Sequence, residues 1–468
     1  MRYVSTRGQA PVLGFEDVLL AGLAEDGGLY MPETWPEFSV AEWRALRGLS
    51  YADLAARILL PFTGGAIPAD TLRAICRDSY AGFGHPGIVP LIQLDQRLFA
   101  AELFHGPTLA FKDMALQLLG RLFDHVLAKR GTRVTIVGAT SGDTGSAAIE
   151  ACRDRDRVSI VILHPHGRTS EVQRRQMTTI LSPNVGNIAV EGTFDDCQDM
   201  VKAMFGDGPF RRDMRLSAVN SINWARIAAQ IVYYAWTALH LGAPDRPVAF
   251  SVPSGNFGNV FAAWAAGRMG LPVAKLIVGT NRNDILTRFL TANDMSVAEV
   301  HPSLSPSMDI QVSSNFERLL FELLDRDGRA TAETMRRFRA EGRMPVPDAA
   351  WKRASGQFAG FALDDHGTLA AIRSWHARAG YTPDPHSVIG LEAAVANMPD
   401  DPAVPVIAMA CAHPAKFPDA VERATGMRPP LPSRLADLYQ RTERFTVLPN
   451  ELTAIEEFVR GVALRNAA

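Results

Sequence analysis

Cysteine is scarce in this 468-residue chain, where Cys76, Cys152, Cys197 and Cys411 stand singly with no CxxC pair and no Cys/His cluster. That spacing excludes a disulfide framework and a thiolate zinc site, and it fits a reducing compartment. An excess of one charge is missing too. A formal net charge of -2 offers no basic surplus for a nucleic-acid backbone. No run approaches the roughly 20 apolar residues of a membrane helix. The N-terminus, MRYVSTRGQAPVLGF, lacks an apolar h-region, so a cytoplasmic protein with no membrane or nucleic-acid partner is expected. Lysine is rare: it occurs only at 112, 129, 202, 275, 352 and 416 among 48 basic residues. Each can therefore be weighed singly.

What is present is an ordinary globular composition, 47% hydrophobic and 21% charged, in a chain long enough for two or three domains. Two segments read as strand, glycine loop and helix: RVTIVGATSGDTGSAAIEACRDR, with a helix opening near Ser146, and PVAFSVPSGNFGNVFAAWAAGRMG, with a helix closing at Gly270. Further strands are expected at Ser159–Leu163, Asn187–Val190, Lys275–Gly279 and Val404–Met409. Strands alternating with helices imply βαβ units and a mostly parallel, buried sheet. Residues 1–95 read as a mixed, helical N-terminal domain with helices at Tyr51–Leu60 and Ala69–Tyr80. Residues 96–430 read as the main α/β region. It contains a helical insertion at about 315–380, including Ala332–Arg343 and Trp351–Leu363. A C-terminal helical extension covers 431–468.

Lys112 opens the apolar-periodic segment Met114–Arg130, whose leucines and Val126 mark one buried face and whose end is signalled by Gly131. A lysine in a first helical turn feels the positive end of the helix dipole. Its amine is thereby easier to deprotonate, and only a neutral amine condenses with an aldehyde. The preceding HGPTLAF is too apolar for an exposed turn. The loop Ser254-Gly255-Asn256-Phe257-Gly258-Asn259 places small residues ahead of a helix, where free N–H groups can converge on an anion. It has neither a P-loop lysine nor dinucleotide-site spacing. A second such loop, Thr140-Ser141-Gly142-Asp143-Thr144, suits a substrate carboxylate, with Asp143 free for another polar contact or serving as a helix cap. Two anion-ready loops and one lysine in apolar surroundings are what an amino acid bound to pyridoxal phosphate requires. Cys411, His413 and Lys416 follow the last strand, where open α/β sheets line their crevices.

These motifs resemble the threonine synthases, within the fold-type II pyridoxal-phosphate enzymes. The resemblance rests on YVSTRG at 3–8, DGGLYMPE at 26–33, FHGPTLAFKD at 104–113 and ATSGDTG at 139–145. It continues through EGTFDDCQDMV at 191–201, NSINWARIAAQ at 220–230, SVPSGNFGN at 251–259 and AHPAKFPDAV at 412–421. It implies two open, mostly parallel α/β sheet domains plus an N-terminal domain that related dehydratases lack. It further implies Lys112 as Schiff-base lysine and as the acid and base at Cα, with 254–259 holding the cofactor phosphate. Thr140, Ser141, Gly142 and Thr144 would hold the substrate carboxylate, and Asp143 would face the cofactor's ring hydroxyl. Asn223 and Arg226 match a segment lining the site. Cys411 departs from the family's Thr or Ser at the pyridine nitrogen, and a thiol is a weaker hydrogen-bond partner there.

The implied reaction converts O-phospho-L-homoserine and water to L-threonine and phosphate. A phosphorylated substrate needs a second anion site, for which Lys416 and Arg226 are the candidates. The competing enzymatic reading is a serine/threonine dehydratase or phospho-lyase of the same fold, and a catalytically silent anion-binding protein is the non-enzymatic one.

Overall fold

The computed structural model of the chain describes residues 1–217 and 222–465. The first two residues of NSINWARIAAQ and the last three of the C-terminal extension lie outside the described residues. Two parallel sheets form the body. The smaller runs Thr446–Pro449, Val185–Glu191, Val158–Pro165, Val134–Ala139, Leu216–Ser217, parallel throughout. The larger runs Phe358–Ala362, Val273–Thr280, Val248–Pro253, Val406–Ala410, Leu98–Glu102, Leu91–Gln93, and only the last pairing is antiparallel. Every residue of Val158–Pro165 is buried, as expected for a parallel strand covered by helices on both faces.

All six expected strands form, but the edge strands depart from the sequence reading. The helix expected over Trp351–Leu363 ends at Gln357, and Phe358–Ala362 becomes an edge strand of the large sheet. Gly360 allows this, since a Cβ there would stand 3.0 Å from the Thr287 Cα. Leu98–Glu102 is rich in alanine and reads weakly as a strand, yet Ala100 and Ala101 are fully buried between neighbours; tertiary packing overrides propensity. The C-terminal extension contributes a strand, Thr446–Pro449, as well as the helix Leu452–Arg465.

The N-terminal segment packs onto the body through a continuous apolar core. Tyr3 and Phe62 both lie against Trp224, and the Tyr3 hydroxyl donates to Phe62 O at 2.6 Å. Arg7 pairs with the buried Glu317 carboxylate at 2.9 Å, and Thr6 donates to the same carboxylate at 2.7 Å. No helix among the described residues is long and apolar enough to cross a membrane.

The lysine helix spans Lys112–Arg130 and ends at the left-handed Gly131, as its sequence predicts. It is more deeply set than a one-faced helix: every residue from Lys112 to Gly120 is buried. The reason is a close crossing with the helix Asp143–Cys152, where a Cβ on Gly120 would come within 2.3 Å of Ala151 O.

Candidate active site

Three loops at strand C-terminal ends build the site, the location expected in open α/β sheets. The segment 103–111 leaves the strand Leu98–Glu102 and is laced to residues 410–413. Leu103 N–H donates to Ala410 O at 3.0 Å, Phe111 N–H to Cys411 O at 2.7 Å, and His413 N–H to Leu109 O at 3.0 Å. Within this loop Leu109 is left-handed, with φ 62°. The buried Asp113 carboxylate fixes the bend by accepting the Thr108 N–H and hydroxyl, both at 2.8 Å. Lys112 is thus presented from a rigid loop at the first position of its helix.

Its Nζ donates to Asp143 Oδ2 and to Ser307 Oγ, each at 3.2 Å. Asp143 is the hub. Its Oδ1 accepts Lys416 Nζ at 3.0 Å and Gln173 Nε2 at 2.8 Å. Burial alone would push this carboxyl upward, but the charges of Lys112 and Lys416 outweigh it and hold it well below the ordinary carboxylate range. Burial lowers the affinity of the Lys112 amine for a proton; Asp143 opposes that shift, while Lys416 and Arg226 add to it. The structure thus holds a buried lysine whose proton affinity is lowered by burial beside a carboxylate that stays ionised. Asp143 is not a helix cap: Gly142 occupies that position, with φ 146°, and no side chain caps the helix.

In the second loop, the Thr140 Oγ1 accepts the N–H groups of Gly142 at 3.0 Å and Gly145 at 2.9 Å. Thr140 therefore shapes its own loop, while Ser141 is exposed and Thr144 half-buried at the mouth. A Cβ on Gly142 would lie 2.4 Å from Gln173 Oε1, so glycine is required by space as well as by backbone.

The third loop is held from outside. Ser313 Oγ donates to Gly255 O at 2.7 Å, and Asn315 N–H donates to Asn256 O at 3.1 Å. The ring of Phe257 is buried against Phe316 and Phe358, so only its main chain is available to a ligand. Phe257 is left-handed, φ 64°, directly before the helix Gly258–Arg268, a conformation that turns successive N–H groups to one side. Ser254 N–H donates to Gly279 O at 2.9 Å, whereas the N–H groups of Gly255, Asn256 and Phe257 donate to no protein acceptor among the described residues. An anion of phosphate size suits such a cradle. The side chain of Asn259 turns elsewhere. Its Oδ1 accepts the hydroxyls of Tyr233 and Tyr234, and its Nδ2 lies 4.0 Å from Cys411 Sγ. Burial pushes the Cys411 thiol well up, so it stays neutral.

Two residues proposed from the sequence for substrate contacts, Lys416 and Asn223, already have protein partners. Lys416 directs its ammonium to Thr108 O at 2.8 Å, Gln176 Oε1 at 3.1 Å and Asp143 Oδ1 at 3.0 Å. An ammonium has three donors, and all three have acceptors here. Asn223 caps the helix Trp224–His240 by accepting Ala225 N–H at 3.0 Å, and its Nδ2 donates to Leu19 O at 2.8 Å; its amide is spent on structure. Arg226 is buried, and burial lowers its guanidinium to about 10. The sequence reading missed Ser307, Gln173 and Gln176. Ser307 reaches the site from the turn Pro306–Met308, and Gln173 and Gln176 from the single helix Glu171–Thr178; none sits in a glycine loop.

A buried amine, an ionised carboxylate beside it and a main-chain anion cradle fit pyridoxal phosphate. Comparisons with known proteins agree. Residues 84–351 match the family described as pyridoxal-phosphate dependent enzyme, 2–80 the threonine synthase N terminus, and 387–459 the threonine synthase C-terminal family. A threonine synthase of Pseudomonas aeruginosa is 58% identical over 98% of both chains. The crystal structure of pyridoxal-phosphate-bound threonine synthase from Brucella melitensis superposes with a TM-score of 0.97 at 53% identity, covering 99% of each chain. The yeast threonine synthase structure gives 0.93 at 37% identity, again over 99% of each.

Proposed function

The chain belongs to the threonine synthase family of pyridoxal-phosphate-dependent enzymes, and from that premise we propose how its residues divide the reaction of O-phospho-L-homoserine and water to L-threonine and phosphate. The observation that carries the proposal is the buried Lys112 amine held against ionised Asp143. The bound cofactor supplies the electron sink for charge developing at Cα. Lys112 Nζ takes and returns protons on the substrate carbons, a task suited to an amine whose proton affinity burial has lowered. Asp143 stays ionised throughout and orients Lys112, while Lys416 stands behind it as a counter-charge.

The cofactor phosphate is assigned to the N–H groups of Gly255 to Asn259, with Ser254 at the edge of the cradle. Ser141, Thr144 and the N–H groups at the start of the helix Asp143–Cys152 are assigned to the substrate carboxylate, with Thr140 fixing the loop. Arg226 is the cation assigned to the substrate phosphate. Cys411 and Asn259 form the neutral wall at the ring nitrogen. Four buried, unpaired cysteines fit a cytoplasmic enzyme.

Incubation of the purified holoenzyme with O-phospho-L-homoserine should yield threonine and phosphate in equal amounts. Release of a keto acid in place of threonine would favour the dehydratase or phospho-lyase reading.

A further inference from the structure

Lys112 is held by a second group besides the carboxylate, from a segment that no sequence motif marks. Ser307 lies in the turn Pro306–Met308. Its Oγ is 3.2 Å from Lys112 Nζ and 3.1 Å from Asp143 Oδ2, which is itself 3.2 Å from Nζ. The three atoms close a triangle. The hydroxyl has one proton to donate. Asp143 is an acceptor only, so that proton goes to Oδ2 and the Ser307 lone pairs face Lys112. A neutral amine has two N–H groups and one lone pair. With one N–H on Ser307 and the other on Asp143, the lone pair is left pointing away from both.

The turn is anchored on both sides. Asp309 accepts Asn281 Nδ2 at 2.7 Å and Ser303 Oγ at 2.6 Å. Ser307 N–H donates to His386 Nε2 at 3.4 Å, which leaves the His386 Nδ1 proton for Asp384 Oδ1 at 2.8 Å. Asp384 also accepts the Ser387 hydroxyl, whose oxygen accepts Cys411 N–H at 2.8 Å. The same turn lies along the phosphate loop, since a Cβ on Gly255 would stand 3.0 Å from Met308 Cα. Ser307 is therefore fixed relative to both ends of the site.

We propose that Ser307 is a positioning residue for Lys112: its hydroxyl holds the amine against Asp143 whenever Nζ is detached from the cofactor, aiming the lone pair at the substrate. This rests on the role of Lys112 in the function proposed above. The charged and titratable groups acting on Lys112 are Asp143, Lys416 and Arg226, with Cys411 coupled to it and His386 beyond Ser307. All are retained when only Ser307 is changed.

The test compares Ser307→Ala and Ser307→Thr in the full-length protein. For the holoenzyme, Ser307→Ala should lower kcat about tenfold with KM nearly unchanged, the effect of one hydrogen bond to a charged group. In the cofactor-free protein, acetylation of Lys112 by acetic anhydride, followed across pH by mass spectrometry, should show its midpoint moved down by about half a unit, because the ammonium form loses an acceptor. Ser307→Thr, which keeps the hydroxyl, should behave as wild type in both measurements. An alanine variant with unchanged kcat and midpoint would overturn the proposal, as would a threonine variant as impaired as alanine or an alanine variant that fails to fold. A wild-type enzyme that makes no threonine would instead remove the proposed function, while the acetylation midpoint would still report on Ser307.

Discussion

The two ends of the site are built from different materials. Around Lys112 the contacts are side chain to side chain, among charged groups that are all buried: Lys112, Asp143 and Lys416. Around Gly255–Asn259 they are main-chain N–H groups, with the Phe257 ring turned into the core and the Asn259 amide turned to two tyrosines. A backbone cradle binds one anion at any ordinary pH. A buried charge cluster has protonation states that can be tuned by whatever stands nearby. Substitutions at one end should therefore change the chemistry and its pH dependence, and substitutions at the other should change cofactor affinity alone.

The largest break should come from Asp143→Asn. It leaves two buried ammonium groups without their shared carboxylate, which costs about 3–5 kcal/mol in comparable sites; turnover should fall more than about a hundredfold, and denaturant unfolding of the cofactor-free protein should show the loss. The sign with pH follows from its depressed proton affinity. Asp143 stabilises the fold above the ordinary carboxyl value near 4, and that contribution is lost as pH falls through its lower folded value. The wild-type protein should therefore lose stability on acidification below about pH 4 more steeply than Asp143→Asn.

Lys416→Met should sharpen the contrast next. Removing a neighbouring positive charge lets Lys112 hold its proton more firmly, since Lys416 is one of the groups that lower it. The acid limb of the kcat profile should move to higher pH by about one unit. Gly255→Val, at the other end, should raise the cofactor Kd by about tenfold or more as a Cβ meets Met308, with the pH profile of the loaded enzyme unmoved. A shifted profile there would break the division. The smallest effect is expected from Cys411→Ser. A thiol is a weak hydrogen-bond partner and a hydroxyl a modest one, so kcat should change by less than about fivefold, with any spectral shift read from the visible absorbance.

How much of this was legible in the sequence differs between the two ends in the same way. The loops carry local signals, a β-branched run followed by small residues and a helix, so 140–144 and 254–259 could be placed from the chain alone. Lys112 was legible because lysine is rare and its helix start is apolar. Long-range partners carry no such mark. Ser307 lies 195 residues from Lys112, and Gln173 and Gln176 read as polar positions of an ordinary helix. Lys416 was found as a cation, but only the fold shows that its three donors have acceptors at Thr108, Gln176 and Asp143. The strand Phe358–Ala362 was hidden for a related reason. It follows a helical pattern without a break, and only its place beside Val273–Thr280 makes it a strand.

The claim most in need of direct measurement is that Lys112, and not its buried neighbour Lys416, carries the cofactor. Reduction of the holoenzyme with borohydride would make the cofactor–amine linkage permanent, and peptide mass mapping would locate it. The adduct should fall on the peptide containing Lys112 and nowhere else. An adduct on Lys416, or its persistence in Lys112→Ala, would contradict the account.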